Sequence, residues 1–364
     1  MNTHPRTLIL GATGSIGCAI TQNLLARQWP VTILVRNRAK AEKMFSHTPS
    51  LTILEGDVQD RDALIRAAVS NDFIVHAINY PYNEWVGNMA SATQNVIEAA
   101  TQAKATIVFP GNVYSFGKTR QPIREDSLPN PDTRKGQLRA ELEVSLETAA
   151  RAGRCRVINV RLPDFWGPNV VHEGIAPVFE GALRGKAMPW LMNADIAHQS
   201  VYTPDAAEII ARLMVRSATQ SETVPPYEVW NYGGVTLSSI RSWFGQIAAL
   251  TGKPPKVQVI GRLPIRLLGL FKPVLGEVVE MLYLYENTIV LDDAAVRAVF
   301  PDFRETPMTD ALTTTLDWFA RQRLRIPFNA HGVMPPTAGS TAPGMPVGVP
   351  NRAETPPASR PSIS

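Results

Sequence analysis

The chain has 364 residues, 45% of them apolar and 19% charged, with a formal net charge of +4. This is ordinary globular composition and enough chain for one large α/β domain or two unequal ones. A pI near 9.1 without a Lys/Arg-dense stripe excludes an electrostatic nucleic-acid binder, while two cysteines, Cys18 and Cys155, exclude a disulfide framework or a zinc site and fit a reducing cytoplasm.

The first residues run straight into a strand-like segment, TLIL (7–10), which leaves no room for a signal peptide. GATGSIG follows, then a predicted helix over 18–27. Strand VTILV (31–35), a short helix over 38–45, strand LTILEGDV (51–58) and a helix over 61–69 come next. Strand FIVHAI (73–78), a helix over 87–102 and strand ATIVF (105–109) complete this series. A further helix begins in TRKGQLRAELE (133–143), and RVINVRL (156–162) reads as another buried strand. Strands apolar along their whole length and separated by helices predict a parallel sheet covered on both faces. Right-handed crossovers then give a doubly wound α/β sheet, the Rossmann fold, over residues 1–164.

From 165 to 328 short helices alternate with Pro- and Gly-containing loops such as ETVPPYEVWNYGG (222–234), predicting a smaller, partly interleaved substrate domain. Its last helix is expected over 309–321. The apolar stretch 263–285 is broken by Arg266, Lys272, Pro273 and Glu277, so no integral membrane span is expected. Two readings stand for it: a helix lining the substrate cleft, or, with Arg262, a segment lying on a membrane surface. Residues 329–364 carry eight prolines and almost no aromatics, so this tail is expected to be disordered.

GATGSIG carries the chemistry. Gly11, Gly14 and Gly17 recur every three residues directly between a strand and a helix. Glycines there let the backbone turn tightly and bring its N–H groups against a pyrophosphate at a helix N-terminus. Gly11, Thr13, Gly14, Ser15, Ile16 and Gly17 are therefore candidate cofactor-binding residues. The second strand ends in LVRNR, with Arg36 where an NAD site usually has a carboxylate, and with Arg38 and Lys40 close behind. Cations suit a 2′-phosphate, so NADP is expected over NAD. Asp57 and Val58 are placed to meet the adenine, Asp57 having helix capping as its alternative. Ala77 and Ile78 are placed to face the cofactor, and His76 reads as an ordinary strand-end residue.

Together with VFPGNVYSFG (108–117), KGQLRAELE (135–143) and VRLPDFWGP (160–168), these motifs resemble the extended short-chain dehydrogenase/reductase superfamily, in its NAD-dependent epimerase/dehydratase branch. The resemblance covers roughly residues 7–325. It implies a nicotinamide site lined by Pro163, Asp164 and Phe165. It also implies a catalytic Ser, Tyr and Lys, the last two four residues apart. Matched motif to motif, Asn112 stands at the Ser position, Lys135 at the Tyr position and Arg139 at the Lys position. Arg139 would bind the nicotinamide ribose, and Lys135 or Tyr114 would handle the proton. The bland alternatives are exposed helix charges for Lys135 and Arg139, and a packed aromatic for Tyr114.

Two functions follow. One is NADP(H)-dependent carbonyl reduction or epimerisation of a small polar molecule such as a sugar nucleotide. The other is an NADP(H)-binding sensor or regulatory protein without turnover. The resemblance further implies a homodimer through helices over 87–102 and 137–152.

Overall fold

Strand β1 (Thr7–Leu10) is buried at every residue because it runs through the middle of a sheet covered on both sides. The computed structural model describes residues 4–45, 48–220, 223–269 and 273–331. The Pro-rich tail lies outside them from residue 332 onward.

The first half alternates strand and helix: α1 (Ser15–Ala26), β2 (Val31–Val35), α2 (Arg38–Met44), β3 (Leu51–Glu55), α3 (Arg61–Ala68), β4 (Phe73–His76), α4 (Trp85–Ala103), β5 (Thr106–Gly111), α5 (Arg134–Arg151) and β6 (Arg156–Arg161). The second half adds β7 (Asp164–Trp166), α6 (Ala176–Arg184), β8 (Met188–Leu191), β9 (His198–Tyr202), α7 (Thr203–Thr219), β10 (Tyr227–Asn231), β11 (Val235–Leu237), α8 (Ile240–Thr251), β12 (Val257–Ile260), α9 (Arg262–Gly269) and α10 (Pro273–Val278). Seven strands form one parallel sheet in the order β10-β6-β5-β4-β1-β2-β3.

Alternation along each strand divides its apolar residues between two cores. Ile9, Ile33, Val75, Val108 and Ile158 pack under α1 and α7. Leu8, Leu10, Leu34, Ile74, Ile107 and Val157 pack under α3, α4 and α5. This is the doubly wound architecture, and the strand order reverses between β1 and β4, where such sheets open a crevice at their C-terminal edge.

Several elements differ from the sequence reading. Helix α1 starts at Ser15, directly on the glycine turn. Asp57 does not cap α3. Asp60 does, its carboxylate accepting from the Ala63 amide at 3.0 Å, while Asp57 Oδ1 accepts from the Gln59 amide at 2.9 Å and closes its own turn. The stretch 222–234 hides β10, which pairs in parallel with β6. Its polar pattern is that of an edge strand, with Tyr227, Val229 and Trp230 only half-buried, so period and hydropathy gave no signal. The remaining strands form small sheets, β11-β9-β7 and β12-β8.

Candidate functional site

The glycine turn is built by close approach. Gly11 has φ +82°, and a Cβ there would lie 2.3 Å from the Ala77 carbonyl oxygen. A Cβ on Gly17 would lie 2.2 Å from the Gly11 oxygen. Gly14 differs: it is exposed, and its Cβ would approach the Gly11 oxygen only to 3.2 Å. Gly11 and Gly17 are thus fixed by the fold, whereas Gly14 keeps an open surface beside the α1 N-terminus. Ile16 is buried beneath the turn, and Thr13 and Ser15 border it half-buried. A segment that the sequence reading missed crosses here. Asn169, with φ +63°, donates from Nδ2 to the Gly14 carbonyl at 3.3 Å and accepts from Ser15 Oγ at 3.4 Å. Its only sequence signal was an Asn following Gly-Pro, a residue that tolerates the left-handed region.

At the end of β2 the cations separate into two kinds. Arg38 donates to the Ile53 carbonyl at 2.6 Å and to Glu42 at 3.4 Å. Arg36 is exposed and makes no ion pair among the described residues. Asn37 accepts from the Lys40 amide at 2.8 Å and starts α2. Gln59 donates to Tyr80 Oη at 2.9 Å. Val58 is buried, and Ala77 and Ile78 are half-buried, with the Ala77 amide donating to Leu10 at 3.1 Å.

On the other side of the crevice, α5 begins where Thr133 accepts from the Gly136 amide at 3.0 Å. Lys135 and Arg139 are buried rather than solvated, 4% and 5% exposed, while Arg134 at the start of the helix is exposed. Lys135 Nζ is paired with Glu277 and Glu280, which ties α5 to the 273–281 segment. Arg139 donates from Nη2 to the Pro110 carbonyl at 3.3 Å, and its guanidinium lies 4.8 Å from the centre of the Phe109 ring. Its Nε is buried without a partner. Burial lowers the Arg139 pKa from its usual value, against the charge of Glu143. An unmet buried donor costs about 1–3 kcal/mol, so the position fits a ligand oxygen such as a ribose hydroxyl.

Asn112 follows β5, and its Oδ1 accepts from the Tyr114 amide at 3.1 Å. Tyr114 Oη lies 2.9 Å from Tyr82 Oη, and both rings pack against Trp85. Burial pushes Tyr82 up to about 12 and Tyr114 well above the usual phenol range. Pro163 is buried beside Asp164. Nε2 of His198 lies 3.2 Å from Asp164 Oδ2. Burial raises the Asp164 carboxyl, but the His198 hydrogen bond and charge outweigh it and hold it below its usual value. Tyr82 and His198 were missed because their partners are distant in sequence. His76 is buried, with Nε2 2.9 Å from Thr93 Oγ1.

The model of the family described as NAD dependent epimerase/dehydratase matches residues 7–233. The chain belongs to the NAD dependent epimerase/dehydratase family. Among relatives, it is 25% identical over 131 residues to UDP-N-acetyl-alpha-D-glucosaminuronate decarboxylase of Bacillus cytotoxicus, covering 33% of this chain and 40% of that protein. The matches span only 24–41% of the length of the curated relatives. Solved structures of similar fold include UDP-glucuronic acid 4-epimerase from Bacillus cereus in complex with NAD, with TM-score 0.70, 16% identity, and coverage of 88% of this chain and 99% of that one. Another is dTDP-glucose 4,6-dehydratase DesIV from Streptomyces venezuelae with NAD, with TM-score 0.69, 19% identity, and coverage of 88% and 98%. In this epimerase/dehydratase-family chain the β1–α1 turn, the end of β2, the end of β5 and the start of α5 surround the same C-terminal edge of the sheet. The site can hold a diphosphate, offer a free cation to an anion, and set phenols beside buried positive charge. No helix among the described residues is long and apolar enough to cross a membrane.

Proposed function

We propose that this chain is a cytoplasmic NADP(H)-dependent enzyme that reduces or epimerises a small polar molecule such as a sugar nucleotide, using a site in which the family's Ser, Tyr and Lys are replaced by Asn112, Lys135 and Arg139. The observation that carries this reading is the crowded glycine turn at Gly11 and Gly17 beside Arg36, which is exposed and makes no ion pair among the described residues, at the end of the neighbouring strand. The fit extends to the buried, unpartnered Nε of Arg139. The names of the similar proteins above support a sugar nucleotide as the substrate class.

The backbone N–H groups around Gly14 to Ile16 hold the diphosphate, and Arg36 holds the 2′-phosphate by charge-assisted hydrogen bonds. Asp57, Val58, Ala77 and Ile78 flank the adenosine half. Arg139 binds the ribose next to the nicotinamide, and Pro163 lines that ring. The cofactor, when bound, supplies hydride exchange at nicotinamide C4. Asn112 keeps its Nδ2 donor for the substrate oxygen, since Oδ1 is engaged with Tyr114. The buried guanidinium of Arg139 stabilises negative charge developing on that oxygen, in surroundings where charge is poorly screened. The segment after residue 165 forms the substrate side, and α4 and α5 offer the dimer face.

A second reading, an NADP(H)-binding sensor without turnover, is favoured by one feature. Lys135, at the family's Tyr position, is paired with Glu277 and Glu280 rather than open to a substrate. Titrating NADPH fluorescence and following NADPH oxidation across sugar-nucleotide ketones and small carbonyls separates the two. Binding with turnover supports the enzyme. Binding without turnover on any of them supports the sensor.

A further inference from the structure

Position along α5 leaves the site without a phenol, yet the fold returns one through space. Tyr82 sits in the helical turn Tyr82–Glu84 after β4, far in sequence from α5. The Lys135 ammonium lies 5.2 Å from the centre of its ring, and the Arg139 charge acts on both Tyr82 and Tyr114. We propose that Tyr82 is the catalytic proton donor, a phenol carried from the turn after β4 to the cation pair Lys135 and Arg139. The proposal rests on the enzyme reading above.

Chemistry of this kind needs a phenol beside fixed positive charge, so that the phenolate left after donation is stabilised. Arg139 acts on Tyr82 with that charge, and the Lys135 ammonium lies over the face of its ring. Asp164 and Glu173 face it with the opposite sign, and Glu277 and Glu280 balance Lys135, so the pocket is not left with uncompensated charge. Tyr114 holds the Tyr82 hydroxyl at 2.9 Å. Tyr82 is half-buried, between the exposed Pro81 and Asn83. Burial pushes its pKa up to about 12, so Tyr82 starts protonated.

The step balances as follows. The carbonyl carbon accepts a hydride from the reduced nicotinamide dinucleotide, and the C–O π pair moves onto oxygen. That oxygen forms a new O–H bond with the Tyr82 proton. The phenolate is then reprotonated by a solvent proton, the one H+ that the reduction consumes, giving an alcohol and the oxidised dinucleotide, while Tyr114 holds the Tyr82 hydroxyl in place.

Tyr82→Phe and Tyr114→Phe test this with NADPH and a carbonyl panel, reading kcat, KM, NADPH Kd and Tm together. Phe keeps the Tyr82 ring and its edge contact with Trp85. Tyr82→Phe should lower kcat about 100-fold, with KM, Kd and Tm little changed. Tyr114→Phe should lower kcat less than about tenfold, since it removes a positioning hydrogen bond. A Tyr82→Phe variant keeping a third or more of kcat overturns the proposal and leaves the enzyme reading standing. So does a Tyr114→Phe loss equal to or larger than that of Tyr82→Phe. Wild-type protein that binds NADPH but turns over no carbonyl overturns the enzyme reading and this proposal together.

Discussion

The ammonium of Lys135 lies over the ring of Tyr82, 5.2 Å from its centre, while its Nζ pairs with Glu277 and Glu280. One side chain therefore joins α5, the turn after β4 and the 273–281 segment. Lys135 is 4% exposed, against 33% for Glu277 and 23% for Glu280. Removing it strands two half-buried carboxylates next to each other, which is costlier than losing a surface pair. Lys135→Ala should lower stability by about 2 kcal/mol in urea unfolding, discounted for the exposure of the two acids. Adding Glu280→Gln in that background should recover part of the loss. Simple additivity of the two changes would show that the three groups are not coupled.

The glycine turn separates folding from binding. A Cβ at Gly17 would sit 2.2 Å from the Gly11 oxygen, but one at Gly14 only 3.2 Å from it. Gly17→Ala should therefore destabilise the chain and abolish dinucleotide binding. Gly14→Ala, crowding the Gly11 oxygen less closely, should lower Tm far less than Gly17→Ala and still bind NADPH at least tenfold more weakly, because its Cβ faces the proposed diphosphate position. Unchanged affinity in Gly14→Ala would place the diphosphate elsewhere.

The proposed preference for NADP(H) rests on Arg36. It is exposed and makes no ion pair among the described residues, whereas Arg38 is committed to Ile53 and Glu42. Arg36→Glu should weaken NADPH binding by about 10- to 100-fold, the loss of one or two charge-assisted hydrogen bonds plus an added repulsion. NADH binding should hold or improve, since a carboxylate there can accept from a ribose 2′-hydroxyl. Equal losses for both nucleotides would remove the case for NADP.

His76 gives the fold an acid-sensitive element. It is 1% exposed, and burial, followed by the Arg139 charge, lowers its pKa to about 3 from the usual 6.5. Between those values the unfolded chain binds a proton that the folded chain does not, so stability rises with pH there. The contribution is whole above the unfolded pKa and is lost as pH falls toward the folded value. The slope for this one group approaches about 1.4 kcal/mol per pH unit. Urea unfolding from pH 7 to pH 4 should show a flatter dependence in His76→Leu than in wild type, by that amount. Parallel curves would show that His76 does not titrate between the two states.

The fold was legible wherever period and hydropathy agreed, as in β1, β2 and the strands that follow. Buried parallel strands read as apolar runs, and Gly-Ala-Thr-Gly-Ser-Ile-Gly announces its turn chemistry in order. β10 was illegible because an edge strand keeps Tyr227, Val229 and Trp230 half-wet and needs no apolar run. Gly11 to Gly17, Arg36, and Lys135 with Arg139 stand out in the sequence because each lies within a continuous local motif. Asn169, Tyr82 and His198 do not, since each touches a partner distant in sequence: Gly14, Lys135 and Asp164. Sequence spacing also could not tell that Lys135 and Arg139 of α5 are buried. That depends on Glu277, Glu280 and Phe109 closing around them.

Titration of the purified chain with NADPH and NADH, followed by nucleotide fluorescence, tests the account at its base. The account predicts saturable binding of both, with NADPH at least tenfold tighter and its advantage lost in Arg36→Glu. Protein that folds cooperatively yet binds neither nucleotide would contradict it.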